Sequence, residues 1–142
     1  MELPAFHLAL GVADISACLP FYRDLLACEL GRRSEHWQDL SLWGHQLVLH
    51  QVVQEAGPSG PKSSNHVDGD RVPVPHFGLV LDWTSWEILG DRISASKTPF
   101  LIAPRVRFQG LVGEQGTFFL VDPAGHVLEF KAFREPGQLF AT

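Results

Sequence analysis

Residues Thr117 to Phe133, T-F-F-L-V-D-P-A-G-H-V-L-E-F-K-A-F, decide how this chain folds. They read as two apolar strands joined by a tight turn at Asp122-Pro123-Ala124-Gly125. Asp first, Pro second and Gly fourth suit a type I turn. Glu129 interrupts the pattern between Leu128 and Phe130. A carboxylate in so apolar a strand loses several kcal/mol of hydration unless a cation or strong donors compensate it. Strand periodicity places Leu128, Phe130 and Ala132 on the face that packs on helices, and Val127, Glu129 and Lys131 on the other. Glu129 therefore has an Arg or Lys partner, a wet edge strand around it, or a metal ion.

Working back from this hairpin, Pro75 to Leu81 reads as a strand with His76 in its second place. Thr84, with Glu87 three residues on, reads as a capping box for a helix whose apolar face is Trp86, Leu89 and Ile93. Phe100 to Phe108 is a further strand, and Gln109 to Gly116 a Gly-rich loop. The first third of the chain repeats this plan. Phe6 to Val12 is a strand carrying His7, and Asp14 is the N-cap of a helix carrying Ile15, Cys18, Tyr22, Leu25 and Leu26. Pro20 should bend or loosen that helix, since it lacks a backbone donor. Cys28 to Ser34, Trp37 to Trp43 and His45 to Val52 are three short strands. Between the halves, residues 55–72 are polar and rich in Gly, Pro and Ser, which suits a linker or long loop, or a structured lid over a site.

The halves align as an internal repeat. H-L-A-L-G-V at 7–12 matches H-F-G-L-V-L at 76–81, and G-H-Q-L-V-L at 44–49 matches G-H-V-L-E-F at 125–130. Neither half can bury its own sheet, so the two should pack as a pseudo-symmetric pair. His7 and His76 hold equivalent places, and Glu129 corresponds to Val48. Two imidazoles and one carboxylate make the facial set expected of non-haem iron(II), with positions left for substrate or dioxygen. Manganese, zinc or nickel could occupy the same donors. A core or edge histidine satisfied by a carbonyl is the plainer reading of His7 or His76 alone.

The whole chain fits a compact globular protein: 142 residues, 45% hydrophobic and 19% charged, with a formal net charge of -5. That charge offers no basic footprint for nucleic acid or anionic membranes. No apolar run approaches the ~20 residues of a membrane span, and no basic stretch precedes an apolar one near Met1, so a soluble, cytoplasmic protein is expected. The two cysteines, Cys18 and Cys28, form no disulfide framework or metal motif and read as buried thiols.

On F-H-L-A-L-G-V-A-D, F-Y-R-D-L-L, H-W-Q-D-L-S-L-W-G-H-Q-L-V-L-H, V-P-H-F-G-L-V-L and G-E-Q-G-T-F-F-L-V-D-P-A-G-H-V-L-E-F-K-A-F, the chain resembles the vicinal oxygen chelate superfamily. That group holds glyoxalases, bleomycin-resistance proteins and extradiol dioxygenases, and the likeness is strongest to its small predicted extradiol-dioxygenase branch. The resemblance implies an α+β fold of two βαβββ modules pairing into a concave, barrel-like mixed sheet around a metal cleft. Module one would span 1–54, the linker 55–72, module two 73–135 and a C-terminal tail 136–142. The ligands carried over are His7, His76 and Glu129. The resemblance further implies a homodimer, a small catechol-like or enol diol as substrate, and dioxygen as co-substrate.

The match has departures. Extradiol enzymes of the superfamily are usually about twice as long. Glyoxalase-type and epimerase-type members take a further ligand near Val48, and valine cannot ligate. Manganese-dependent fosfomycin-resistance enzymes share the two-His, one-Glu set, and some members bind ligands without turnover, so both remain alternatives. For ring cleavage, His50 is the candidate proton-transfer group, two residues past Val48 on the same strand face. The plainer view makes it an exposed strand-end histidine. Arg105 and Arg107 share a strand face that either holds a substrate carboxylate or is solvated. Arg107, Phe108, Trp37 and Lys131 complete the expected substrate contacts, with core packing the other role for the aromatics.

Overall fold

Strand, helix and three further strands occur twice in the computed structural model, which describes residues 2–53 and 61–142. The chain divides into two compact units, Met1–Ser59 and Gly60–Thr142. In the first unit β1 (His7–Val12) is followed by α1 (Ile15–Leu19), β2 (Glu29–Arg33), β3 (Trp37–Leu42) and β4 (His45–Gln51). The strands order as β1-β4-β3-β2, with β1 parallel to β4 and the other pairs antiparallel. Asp14 caps α1, accepting the Ser16 N–H at 2.9 Å. Pro20 has no N–H to continue the helical ladder, and Pro20–Leu25 widens into π-type turns. The Leu26 N–H then reaches back five residues to the Phe21 carbonyl at 3.1 Å. This widened helix still buries Cys18, Phe21, Tyr22 and Leu26.

The second unit opens with a hairpin where the sequence suggested a loop. Here β5 (Ser63–Val67) pairs with β6 (Asp70–Val74) across Asp68-Gly69. Both turn residues have positive φ, 43° and 86°, which suits a two-residue mirror-image turn. Residues 55–60 of the expected linker lie outside the described residues. The unit continues with β7 (Phe77–Leu81), α2 (Trp83–Ala95), β8 (Ile102–Arg107), β9 (Gln115–Val121) and β10 (Val127–Phe133). Its second sheet orders as β7-β10-β9-β8. The helix cap also differs from the expected Thr84–Glu87 box. Asp82 is the N-cap, accepting both the Ser85 N–H at 2.9 Å and its hydroxyl at 2.6 Å, while Glu87 instead takes the Trp83 Nε1–H.

The two four-stranded sheets share strand order and register, which is the repeat in structural form. Leu8 pairs with Leu47 as Phe77 pairs with Leu128, and Ala9 with Val48 as Gly78 with Glu129. At the Asp122 turn the Gly125 N–H donates to the Asp122 carbonyl at 3.0 Å, and the Asp122 carboxylate accepts from the Ala124 and His126 amides. On the helix side of the second sheet, the Trp86 Nε1–H donates to the Phe130 carbonyl at 3.0 Å and its ring stacks on Phe118. On the other side Phe119, Val127 and Val72 form a small apolar cluster with Val67 and Ile102. Hairpin β5–β6 thus covers part of the face that carries Glu129. The fold class is α+β, with each four-stranded sheet open along its edges. No described helix is long and apolar enough to cross a membrane.

Candidate metal centre

Glu129 sits in the middle of β10 with 6% of its surface exposed. One partner is His76, whose Nε2 lies 3.0 Å from Oε2. The other oxygen, Oε1, accepts the Thr117 hydroxyl of β9 at 2.8 Å. Lys131 Nζ stands 3.9 Å from Oε2, and Arg107 Nη1 3.8 Å from Oε1, both beyond hydrogen-bond reach. The cations expected in the plain reading are present, but imidazole and hydroxyl make the close contacts. Burial works to raise the Glu129 carboxyl, yet it is held below its ordinary range. The His76 hydrogen bond, the Lys131 charge and the Thr117 hydroxyl outweigh the desolvation. His76 shifts the opposite way: the Glu129 hydrogen bond raises it against the effect of burial.

The orientation of His76 is fixed from behind. Its Nδ1–H donates to the Pro73 carbonyl at 2.6 Å, and its ring meets the edge of Phe119 at 5.1 Å between centroids. A carbonyl only accepts, so Nδ1 carries the proton and Nε2 is the nitrogen turned to Glu129. Such an acceptor behind the ring is what orients metal-binding histidines. His7 has the same arrangement in the first unit. Its Nδ1 lies 2.8 Å from Gln46 Oε1, its neighbour across the β1–β4 pairing, which leaves Nε2 unengaged by that bond.

Two ligands about 2.1 Å from one ion and at right angles stand about 3.0 Å apart, the separation of His76 Nε2 and Glu129 Oε2. The pair therefore fits two neighbouring positions around a divalent ion. Among the described residues, no three His, Cys, Asp or Glu side chains gather closely enough to hold one.

Other expected site residues divide between the two units. Lys131 and Arg107 lie on the Glu129 face. Arg107 is neither a solvated group nor an open substrate clamp: it is 3% exposed and donates from Nη2 to Asp70 Oδ2 at 2.9 Å. Arg105 is held likewise by Asp68 and Asp70. Phe108 follows β8 with φ 53°, its amide on the Asp68 carboxylate at 3.0 Å. In the first unit, Trp37 and His50 are direct neighbours across β3 and β4, and His50 is exposed. His50 shares the face of His7 but pairs opposite Gly11, four positions along β1, about 13 Å at ordinary strand rise. Thr117, Pro73, Asp68 and Asp70 were not among the expected site residues. Counting back from the turn would have found Thr117 opposite Lys131, beside Glu129.

No protein-family model matches this chain, and no curated protein matches it. Solved structures do. A glyoxalase/bleomycin resistance protein/dioxygenase from Alicyclobacillus acidocaldarius is 28% identical, with a TM-score of 0.78 over 96% of each chain. The fosfomycin resistance protein FosX from Listeria monocytogenes is 18% identical, with a TM-score of 0.68 over 98% of this chain and 100% of its own. A lactoylglutathione lyase from Agrobacterium tumefaciens is also 18% identical, with a TM-score of 0.63 over 99% and 98%. The neighbours are glyoxalase/bleomycin resistance/dioxygenase superfamily members, and this chain has their vicinal oxygen chelate fold.

Proposed function

We propose that this protein is a divalent-metal enzyme whose ion is held by His76, Glu129 and His7, and that it is an iron(II) dioxygenase opening a small catechol-like or enol diol. The observation that supports the metal reading best is the matched pair of histidines. His7 and His76 are repeat-related, and each has Nδ1 engaged by an oxygen acceptor, Gln46 Oε1 or Pro73 O. Each thereby keeps Nε2 for a ligand, and one Nε2 already faces a buried carboxylate. His7 enters through the repeat, from the same chain or from a second copy in a dimer.

When bound, iron(II) would supply Lewis acidity and electron transfer between a chelated diol and dioxygen. The chain's own residues do the rest. Pro73 holds the His76 ring in the ligating tautomer, and the Thr117 hydroxyl pins Glu129 Oε1, leaving Oε2, which meets His76 Nε2, as the oxygen that would turn to an ion. Phe119 walls the pair and excludes water from one side. Lys131, one-third exposed, lends positive charge at the outer edge, where an ionised diol oxygen would be favoured. His50, on the same strand face as His7, is assigned the proton transfer.

A second reading, manganese-dependent thiol addition to an epoxide antibiotic, draws on the full-length likeness to FosX. Non-catalytic ligand binding is the third. Protein loaded anaerobically with iron(II) should consume dioxygen with at least one member of a catechol panel. Manganese-loaded protein that instead consumes thiol with fosfomycin would decide for the second reading, and metal uptake with neither activity for the third.

A further inference from the structure

A string of alternating charge leads from the half-exposed Asp68 and Arg105 through Asp70 to the buried Arg107 beside Glu129. Asp68 pairs with Arg105 at 3.3 Å, Arg105 with Asp70 at 3.1 Å, and Asp70 with Arg107 at 2.9 Å. Arg107 ends the string 3.8 Å short of Glu129. Its guanidinium lies over the Phe119 ring, 5.6 Å from the centroid, and is sealed from water. Among the described residues its Nε–H has no hydrogen-bond partner. Arg107 is therefore a desolvated cation with donor capacity to spare, beside a buried carboxylate about 1 Å beyond hydrogen-bond distance.

We infer that Asp70 is a positioning residue which holds the Arg107 guanidinium off Glu129 and so keeps that carboxylate free for a cation. A buried guanidinium cannot stay unpaired, so removing the Asp70 charge leaves Glu129 as its nearest carboxylate. A fork of N–H donors closing on Glu129 would occupy the oxygens the ion needs and place a positive charge beside it. The hairpin that supplies Asp70 thus governs the ion site without contributing a ligand. Asp70 sits on β6, opposite Val67 and next to the Asp68-Gly69 turn, so its placement depends on that turn forming.

The consequence for metal rests on the reading above, but the placement of Arg107 does not, and the two are tested separately. Crystals of metal-free Asp70→Asn protein should show an Arg107 nitrogen hydrogen-bonded to Glu129. Arg107 still 3.8 Å away would overturn the inference. Calorimetric titration with manganese(II) alone should find Asp70→Asn weaker than wild type by about 10- to 100-fold. Adding Arg107→Met to that variant should return the affinity to near the wild-type value, and Arg107→Met alone should bind at least as tightly as wild type. Wild-type affinity in Asp70→Asn, or no recovery in the double variant, would contradict the positioning role. A wild-type protein that takes up no manganese, iron or zinc defeats the metal reading, while the Arg107 shift in crystals still decides the inference.

Discussion

His76 Nε2 meets Glu129 Oε2 at 3.0 Å while its Nδ1–H is committed to the Pro73 carbonyl at 2.6 Å. That relationship answers what compensates a carboxylate in a strand as buried and apolar as β10. Lysine and arginine are nearby, yet neither reaches hydrogen-bond distance. With both ring nitrogens turned to oxygen acceptors, His76 compensates Glu129 as a hydrogen-bonded cation, and the same Nε2 and Oε2 are the atoms proposed to hold an ion.

The strand carrying Glu129 depends on a glycine. Gly78 pairs opposite Glu129, and a Cβ built there would run into the Glu129 carbonyl. Gly78→Ala should therefore force β7 away from β10 and cost about 3 kcal/mol or more. Gly44→Ala meets none of the described residues and strains only a turn at φ 96°, so it should cost about 1 kcal/mol. Urea unfolding of both variants checks the contrast, and similar losses would count against the close approach.

Burial pushes the Cys28 thiol up to about 12 from an ordinary 9.0. The folded protein then keeps this proton where the unfolded chain loses it. The stability it contributes is whole below pH 9.0 and is lost as pH rises toward 12. In native protein near pH 8, Cys28 should react with iodoacetamide about 1,000-fold more slowly than in denatured protein. Mass spectrometry of the labelled chain reads the rate directly.

Proton transfer assigned to His50 gives a kinetic expectation. His50→Ala should keep its metal and lose about 100- to 10,000-fold in oxygen consumption with the best diol. Its side chain is exposed and pairs across from Trp37, so the fold should be undisturbed. A variant as fast as wild type would remove His50 from the mechanism.

Much of this architecture was legible because repeats speak twice. H-L-A-L-G-V and H-F-G-L-V-L each gave a strand in the same register against its partner, and D-P-A-G gave the turn that aligns β9 with β10. Hairpin β5–β6 was missed although Asp68-Gly69 is a hairpin signal. Its flanks, S-S-N-H-V and D-R-V-P-V, are largely exposed, with Val72 the one fully buried side chain among them, so no alternation marks them as strands. The partners of Arg105 and Arg107 lie 37 residues away and could not be read from spacing. Asp82 took the helix cap from Thr84 because Ser85 stands where it can donate twice.

The open sheets suggest self-association. Strand β2 is an edge strand of the first sheet with every residue exposed, including Leu30. Light scattering across the micromolar range should give the mass of a homodimer. A 15.8 kDa particle throughout would show a monomer instead.

Metal content of purified protein tests the central claim most directly. Wild-type protein loaded anaerobically with iron(II) and desalted should carry one ion per chain by elemental analysis, and Glu129→Ala and His76→Ala proteins with unchanged far-ultraviolet circular dichroism should carry none. Undiminished metal in Glu129→Ala would contradict the site.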